Sequence, residues 1–166
     1  MLASVTSVRE AELAFAGGAD IIDCKDPSRG ALGALDAGAV GDIRARLPDA
    51  LVSATIGDLP ARTGLLVPAA LDMAATGVDY VKVGFFPEGD AGEAIRALGE
   101  AFAAASNAGP FAARGERQRA RLVGVLLADR EPDLSLIPLM ATAGYAAVLI
   151  DRSEEHTSEL QSRIPI

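Results

Sequence analysis

The sequence has no tryptophan, one cysteine, one histidine, and two lysines against thirteen arginines. A lone cysteine, Cys24, excludes an internal disulfide and fits a reducing compartment. With His156 the only histidine, the chain is short of the ligands a zinc site needs, and no metal or cofactor is expected. No apolar run reaches the roughly 20 residues that span a bilayer, and residues 1–20 lack the regions of a signal peptide. Positive charge is also scarce. The formal net charge of −8 argues against a nucleic-acid or anionic-membrane partner, either of which requires a basic face. No GxGxxG motif or P-loop is present. These absences predict a soluble, acidic, cytoplasmic protein.

What is present is small and apolar. Half of the 166 residues are hydrophobic, with abundant alanine and glycine, enough to bury one core. Strand-like runs at Leu2–Val5, Ala19–Cys24, Leu51–Ile56, Tyr80–Phe85, Leu122–Ala128 and Ala146–Ile150 alternate with helical stretches. The helices begin after Ser7, which with Glu10 forms a capping box, and then carry Val40 to Leu47, Leu65 to Ala75, Ala91 to Ser106 and Leu134 to Ala143. Alternation at about 25 residues per unit predicts an α/β fold of the TIM-type (β/α)8 class. A flavodoxin-like open sheet is the competing architecture.

The two lysines stand at matching places. Ile21-Ile22-Asp23-Cys24-Lys25-Asp26-Pro27 and Tyr80-Val81-Lys82-Val83-Gly84 each put a lysine near the end of an apolar strand. Counted from Gly18, Gly77 and Gly144, the residues Asp23, Lys25, Lys82 and Asp151 fall at odd offsets, so strand alternation places them on one face. An amine can lose its proton and attack a carbonyl, whereas a guanidinium cannot, which makes Lys25 and Lys82 candidates for carbonyl or phosphate chemistry. Surface lysines are the plain alternative. Asp151 and Asp23 are candidates to orient or protonate substrate, or else helix N-caps. Ser53, Thr55 and Asp58 add two hydroxyls and a carboxylate at the end of the third strand, where Asp58 equally suits a turn. Cys24, of opposite parity, reads as a core residue. Arg114, Arg117, Arg119 and Arg121 read as a solvated basic loop.

Composition changes after Asp151. Residues 152–166 hold no alanine or glycine, and the run Arg152 to Ser162 resembles a translated sequencing-adapter oligonucleotide. Residues 1–151 are therefore expected to form about six βα units of a C-terminally truncated barrel, its first and sixth strands left as open edges. Residues 152–166 are expected to be a non-native tail, disordered or helical.

Taken in order, Ala16-Gly17-Gly18-Ala19-Asp20-Ile21-Ile22-Asp23-Cys24-Lys25-Asp26-Pro27, Gly30-Ala31-Leu32-Gly33-Ala34, Ser53-Ala54-Thr55-Ile56-Gly57-Asp58 and Asp79-Tyr80-Val81-Lys82-Val83-Gly84 resemble the (5-formylfuran-3-yl)methyl phosphate synthase family of methanofuran biosynthesis. The resemblance covers residues 1–151. It implies a lyase that condenses two glyceraldehyde 3-phosphate molecules, losing phosphate and water. By motif, Lys25 falls on the Schiff-base lysine, Lys82 on the proton acceptor and Asp151 on an acid/base aspartate. The family's further lysine, four residues after that aspartate, is matched here by Glu155. Asp23, Ser53, Thr55 and Asp58 are expected to contact the phosphorylated sugar, and the chain as it stands is expected to be inactive. A homo-oligomer is compatible with this reading. The alternatives are another sugar-phosphate barrel enzyme, either a Schiff-base aldolase or an epimerase, and a non-catalytic binding or assembly subunit.

Overall fold

In the computed structural model the structure describes residues 1–86, 88–108 and 120–152. Six parallel strands, β1 (Leu2–Val5), β2 (Ile21–Cys24), β3 (Leu51–Thr55), β4 (Tyr80–Gly84), β5 (Arg121–Leu127) and β6 (Ala147–Asp151), form one sheet in the order β1-β2-β3-β4-β5-β6. Between them run α1 (Val8–Ala16), α2 (Ala37–Arg46), α3 (Thr63–Ala75), α4 (Ala91–Ala108) and α5 (Leu136–Thr142). The sequential order has no reversal, so the doubly wound alternative fails. The result is a curled parallel sheet, half a barrel in form. Among the described residues β1 and β6 are the outer strands, and Leu2, Leu149 and Ile150 on them are exposed. No described helix is long and apolar enough to cross a membrane. The tail expectation for 153–166 and the arginines 114, 117 and 119 lie outside the described residues.

The core lies on the convex face. Ile22 and Cys24, Val52 and Ala54, Val81 and Val83, and Leu122 and Leu126 project from the strands onto Val40, Ile43, Leu66, Ile95, Leu98 and Met140 of the helices. Each such large side chain contributes roughly 1.5–3 kcal/mol by leaving water. In α1 only Ala11 is fully buried. The bulkier Leu13 and Phe15 are exposed, so small residues form the face that packs. The Ser7 cap forms, its hydroxyl accepting the Glu10 amide, and Glu10 reaches back to the amide and hydroxyl of Thr6 and to the Ser7 backbone. Those bonds hold the Glu10 carboxyl below its ordinary range.

Strand starts are tied down in a repeating way. The Asp79 carboxylate, at the turn before β4, accepts the Val52 amide at 2.8 Å and lies 3.6 Å from Arg44. Arg44 in turn donates to the carbonyls of Ala50 and Pro48. Arg121, the described member of the basic cluster, begins β5 and stacks over the Tyr80 ring at 4.6 Å. These contacts close the N-terminal end of the sheet, leaving the C-terminal ends of the strands for the loops that carry the polar residues.

Candidate functional site

The register carries the parity argument into three dimensions. Ser4 pairs with Asp23, Asp23 with Ser53, Ser53 with Tyr80, and Thr55 with Lys82. Lys82 is opposite Val123, which is opposite Ala147, and Leu127 is opposite Asp151. Asp23, Ser53, Thr55, Lys82 and Asp151 therefore share the concave face, and Lys25 continues it one residue beyond β2.

On that face a buried ion pair forms. The Lys82 ammonium donates to Asp23 Oδ2 at 2.6 Å, Ser53 Oγ donates to Asp23 Oδ1 at 2.6 Å, and Ser4 Oγ lies 3.4 Å from Oδ2. Asp23 and Lys82 are 1% and 4% exposed, and Lys25 is 5% exposed. Removing two charges from water costs several kcal/mol per ion, which only close geometry and further hydrogen bonds offset. The Ser53 hydroxyl supplies one such bond. Ser4 was invisible to the sequence reading; its only signal is a hydroxyl inside a four-residue apolar strand.

The remaining candidates divide between face and loop. The Thr55 hydroxyl donates to the Gly33 carbonyl at 3.1 Å. Asp58 accepts the amides of Ala31 at 3.0 Å and Leu32 at 2.7 Å. Asp26, the second carboxylate flanking Lys25, caps the short 3-10 turn Pro27–Arg29 by accepting the Ser28 amide and hydroxyl, which holds its carboxyl low. Asp151 ends β6, half-buried, and accepts the Arg152 amide at 2.8 Å. The structure thus joins Asp23, Ser53 and Lys82 directly and buries Lys25 beside them. Thr55 and Asp58 hold the loop after β2, and Asp151 stands two strands away from Lys82.

Cys24 points to the convex core, and burial first, then the Asp23 charge, push its thiol up to about 12, against a smaller opposing effect of Lys82. It is not a nucleophile at neutral pH. A cavity of about 480 Å³ opens beyond the ends of β4 and β5, lined among others by Phe85, Phe86, Asp90, Leu127 and Arg130. The two lysines do not line it.

The model of the 4-HFC-P synthase family matches residues 1–164. The chain belongs to the 4-HFC-P synthase family. Among relatives, (5-formylfuran-3-yl)methyl phosphate synthase of Methanocaldococcus jannaschii is 48% identical over 87 residues, covering 52% of this chain and 37% of that protein. The synthase of the same name from Methanococcus maripaludis is 40% identical over 110 residues, covering 66% of this chain and 47% of that protein. The chain thus spans under half the length of these 4-HFC-P synthase relatives. Among solved structures, phosphoenolpyruvate phosphomutase from Streptomyces platensis subsp. rosaceus superposes with a TM-score of 0.60 at 17% identity, over 90% of this chain and 58% of that one. At that identity the likeness shows the fold alone.

Proposed function

We propose that the chain carries the lysine-bearing part of a synthase site that joins two glyceraldehyde 3-phosphate molecules into (5-formylfuran-3-yl)methyl phosphate, with loss of phosphate and water, in methanofuran-type cofactor biosynthesis. Lys25 attacks the aldehyde carbon as the neutral amine. Water leaves, and the resulting imine withdraws electrons from the neighbouring carbon so that a proton can be removed there. Lys82 first passes its own proton to Asp23 and then accepts the carbon-bound proton as the free amine, and the pair keeps its acid and base in fixed geometry on a face closed to bulk water. Ser53 orients Asp23. Asp151 serves as a further acid/base group at the C-terminal end of the face, where barrel enzymes gather their chemistry. The reaction class is a carbon–oxygen lyase acting on a phosphorylated sugar.

The observation that carries this reading is the buried Asp23–Lys82 pair with Lys25 on the same concave face, in a member of the 4-HFC-P synthase family. A buried charge pair is weak evidence for stability, and its retention here fits a chemical role. The test is reduction with borohydride in the presence of glyceraldehyde 3-phosphate, followed by peptide mass spectrometry. A reduced adduct on Lys25 is expected. Labelling that persists in Lys25→Arg overturns the assignment, and product analysis separates this reaction from an aldol or epimerase outcome.

A further inference from the structure

The loop between β2 and α2 does more than connect them. It closes on itself through the Asp26 amide, which donates to the Gly33 carbonyl at 2.9 Å. It then turns inward, so that Leu32 becomes fully buried in an apolar cluster with Val125 and Leu127, and Phe86 packs against it. This cluster is on the concave face, apart from the main core. Its position is fixed by contact with β4: a Cβ built on Gly84, two residues after Lys82, would lie 2.3 Å from Leu32 Cδ1. At its other end the loop meets Asp58. Both carboxylate oxygens are engaged, one by the Ala31 amide and one by the Leu32 amide, and a Cβ on Gly30 would fall 2.4 Å from Oδ2. Thr55 adds the bond to the Gly33 carbonyl. The clasp approaches the loop as closely as it does because residue 30 is glycine.

We propose that Asp58 is a positioning residue: it latches the loop so that Leu32 covers the concave face and shuts water away from Lys25 and Lys82. The loop starts directly after Lys25, and Leu32 lies against the strand that carries Lys82, so one latch governs the surroundings of both amines. Phe86 and Leu127 of the same cluster line the cavity beyond β4 and β5, so Leu32 packs behind the wall of that cavity. Water exclusion of this kind strengthens electrostatic interactions within a site. The inference rests on the two lysines being the reactive groups, yet its test needs no sugar.

Trace acetylation with acetic anhydride labels amines in proportion to their access and free-base fraction. The chain has only two lysines, so each is read separately by peptide mass spectrometry against the exposed Met1 amine. Both lysines should label slowly in the unaltered chain. Asp58→Ala should raise their rates by about tenfold, as when a charged hydrogen bond holding a closed segment is lost. Asp58→Asn, which keeps one acceptor oxygen, should fall between. Leu32→Ala should give the same rise without touching the clasp, and it keeps the test decisive if Asp58→Ala does not fold. Leu66→Ala, on the convex core, destabilises the fold and should leave the ratios unchanged while the chain remains folded. Unchanged lysine rates in Asp58→Ala or Leu32→Ala overturn the proposal, as does an equal rise in Leu66→Ala. A labelling rise with no borohydride adduct would keep the latch and remove the Schiff-base reading, whereas an adduct with no labelling rise would do the reverse.

Discussion

Lys82 reaches Asp23 across an intervening strand, at 2.6 Å, although the hydrogen-bond register sets Asp23 level with Ser53 and Tyr80 rather than with Lys82. The two residues are offset by two positions along β4. In a curled sheet the strands are tilted to the axis of curvature, so residues that meet across the concave face advance along the chain from strand to strand. The ion pair is thus a product of the curl, and a flat sheet with the same register would not align the two groups in this way.

That pair should behave as a coupled unit. Asp23→Ala leaves a buried ammonium without its counter-charge and is expected to cost about 3–5 kcal/mol. Lys82→Met likewise strands the buried Asp23 carboxylate and should cost a similar amount, and the double variant should recover part of either loss. Urea unfolding of the four proteins measures the coupling, and strictly additive losses would contradict it.

Alkaline pH should weaken the fold through Cys24. Its folded thiol is pushed up to about 12 from an ordinary 9.0, so the folded chain holds a proton that the unfolded chain releases. The contribution is complete below pH 9 and is lost as pH rises from there towards 12. Near pH 10.5 the loss is on the order of 2 kcal/mol. Tyr145, pushed up by burial, acts in the same direction. Cys24→Ala should flatten the alkaline fall in melting temperature, and iodoacetamide should leave the folded thiol unmodified at pH 7.5.

The Tyr145 hydroxyl is buried and has no hydrogen-bond partner among the described residues, while its ring lies 6.3 Å from that of Phe85. Tyr145→Phe keeps the ring contact and removes the unpaired group, so stability should rise by about 1 kcal/mol. A fall of that size in thermal or urea unfolding would show that the hydroxyl is paired.

The seam between α4 and α5 depends on Gly99. A Cβ there would lie 2.3 Å from the Ala143 carbonyl oxygen, which is backbone and cannot turn aside. Gly99→Ala should lose about 1–3 kcal/mol even though alanine favours helices. Gly92→Ala, with nothing nearer than 3.4 Å, is the control and should be close to neutral.

Alternation of apolar runs predicted all six strands and their parallel pairing; for the four inner strands the reason is that helices bury one face and the curl the other, so they need little polar relief. Strand parity also placed Asp23, Lys25, Lys82 and Asp151 on one face, since side-chain alternation is a local property of the backbone. The roles within that face were less legible. Nothing in the sequence shows that Asp23 takes Lys82, two strands away, as a partner, and Ser4 and Leu32 were not singled out. The apolar weight of Leu13 and Phe15 was misleading, because the small residues of α1 are the ones that approach the sheet closely enough to be buried.

By itself, then, the sequence determined the element order, the facing of each strand residue and the membership in the 4-HFC-P synthase family. All of these follow from local periodicity and motif spacing along one chain. Tertiary structure alone decided which polar groups meet. Curvature brought Lys82 two positions past register onto Asp23, and the turn at Gly30 let Asp58, about a βα unit further on, take hold of the loop beside Lys25. Such contacts depend on the angle between strands and on how closely two backbones can approach, and neither quantity is written in the order of residues along a single strand.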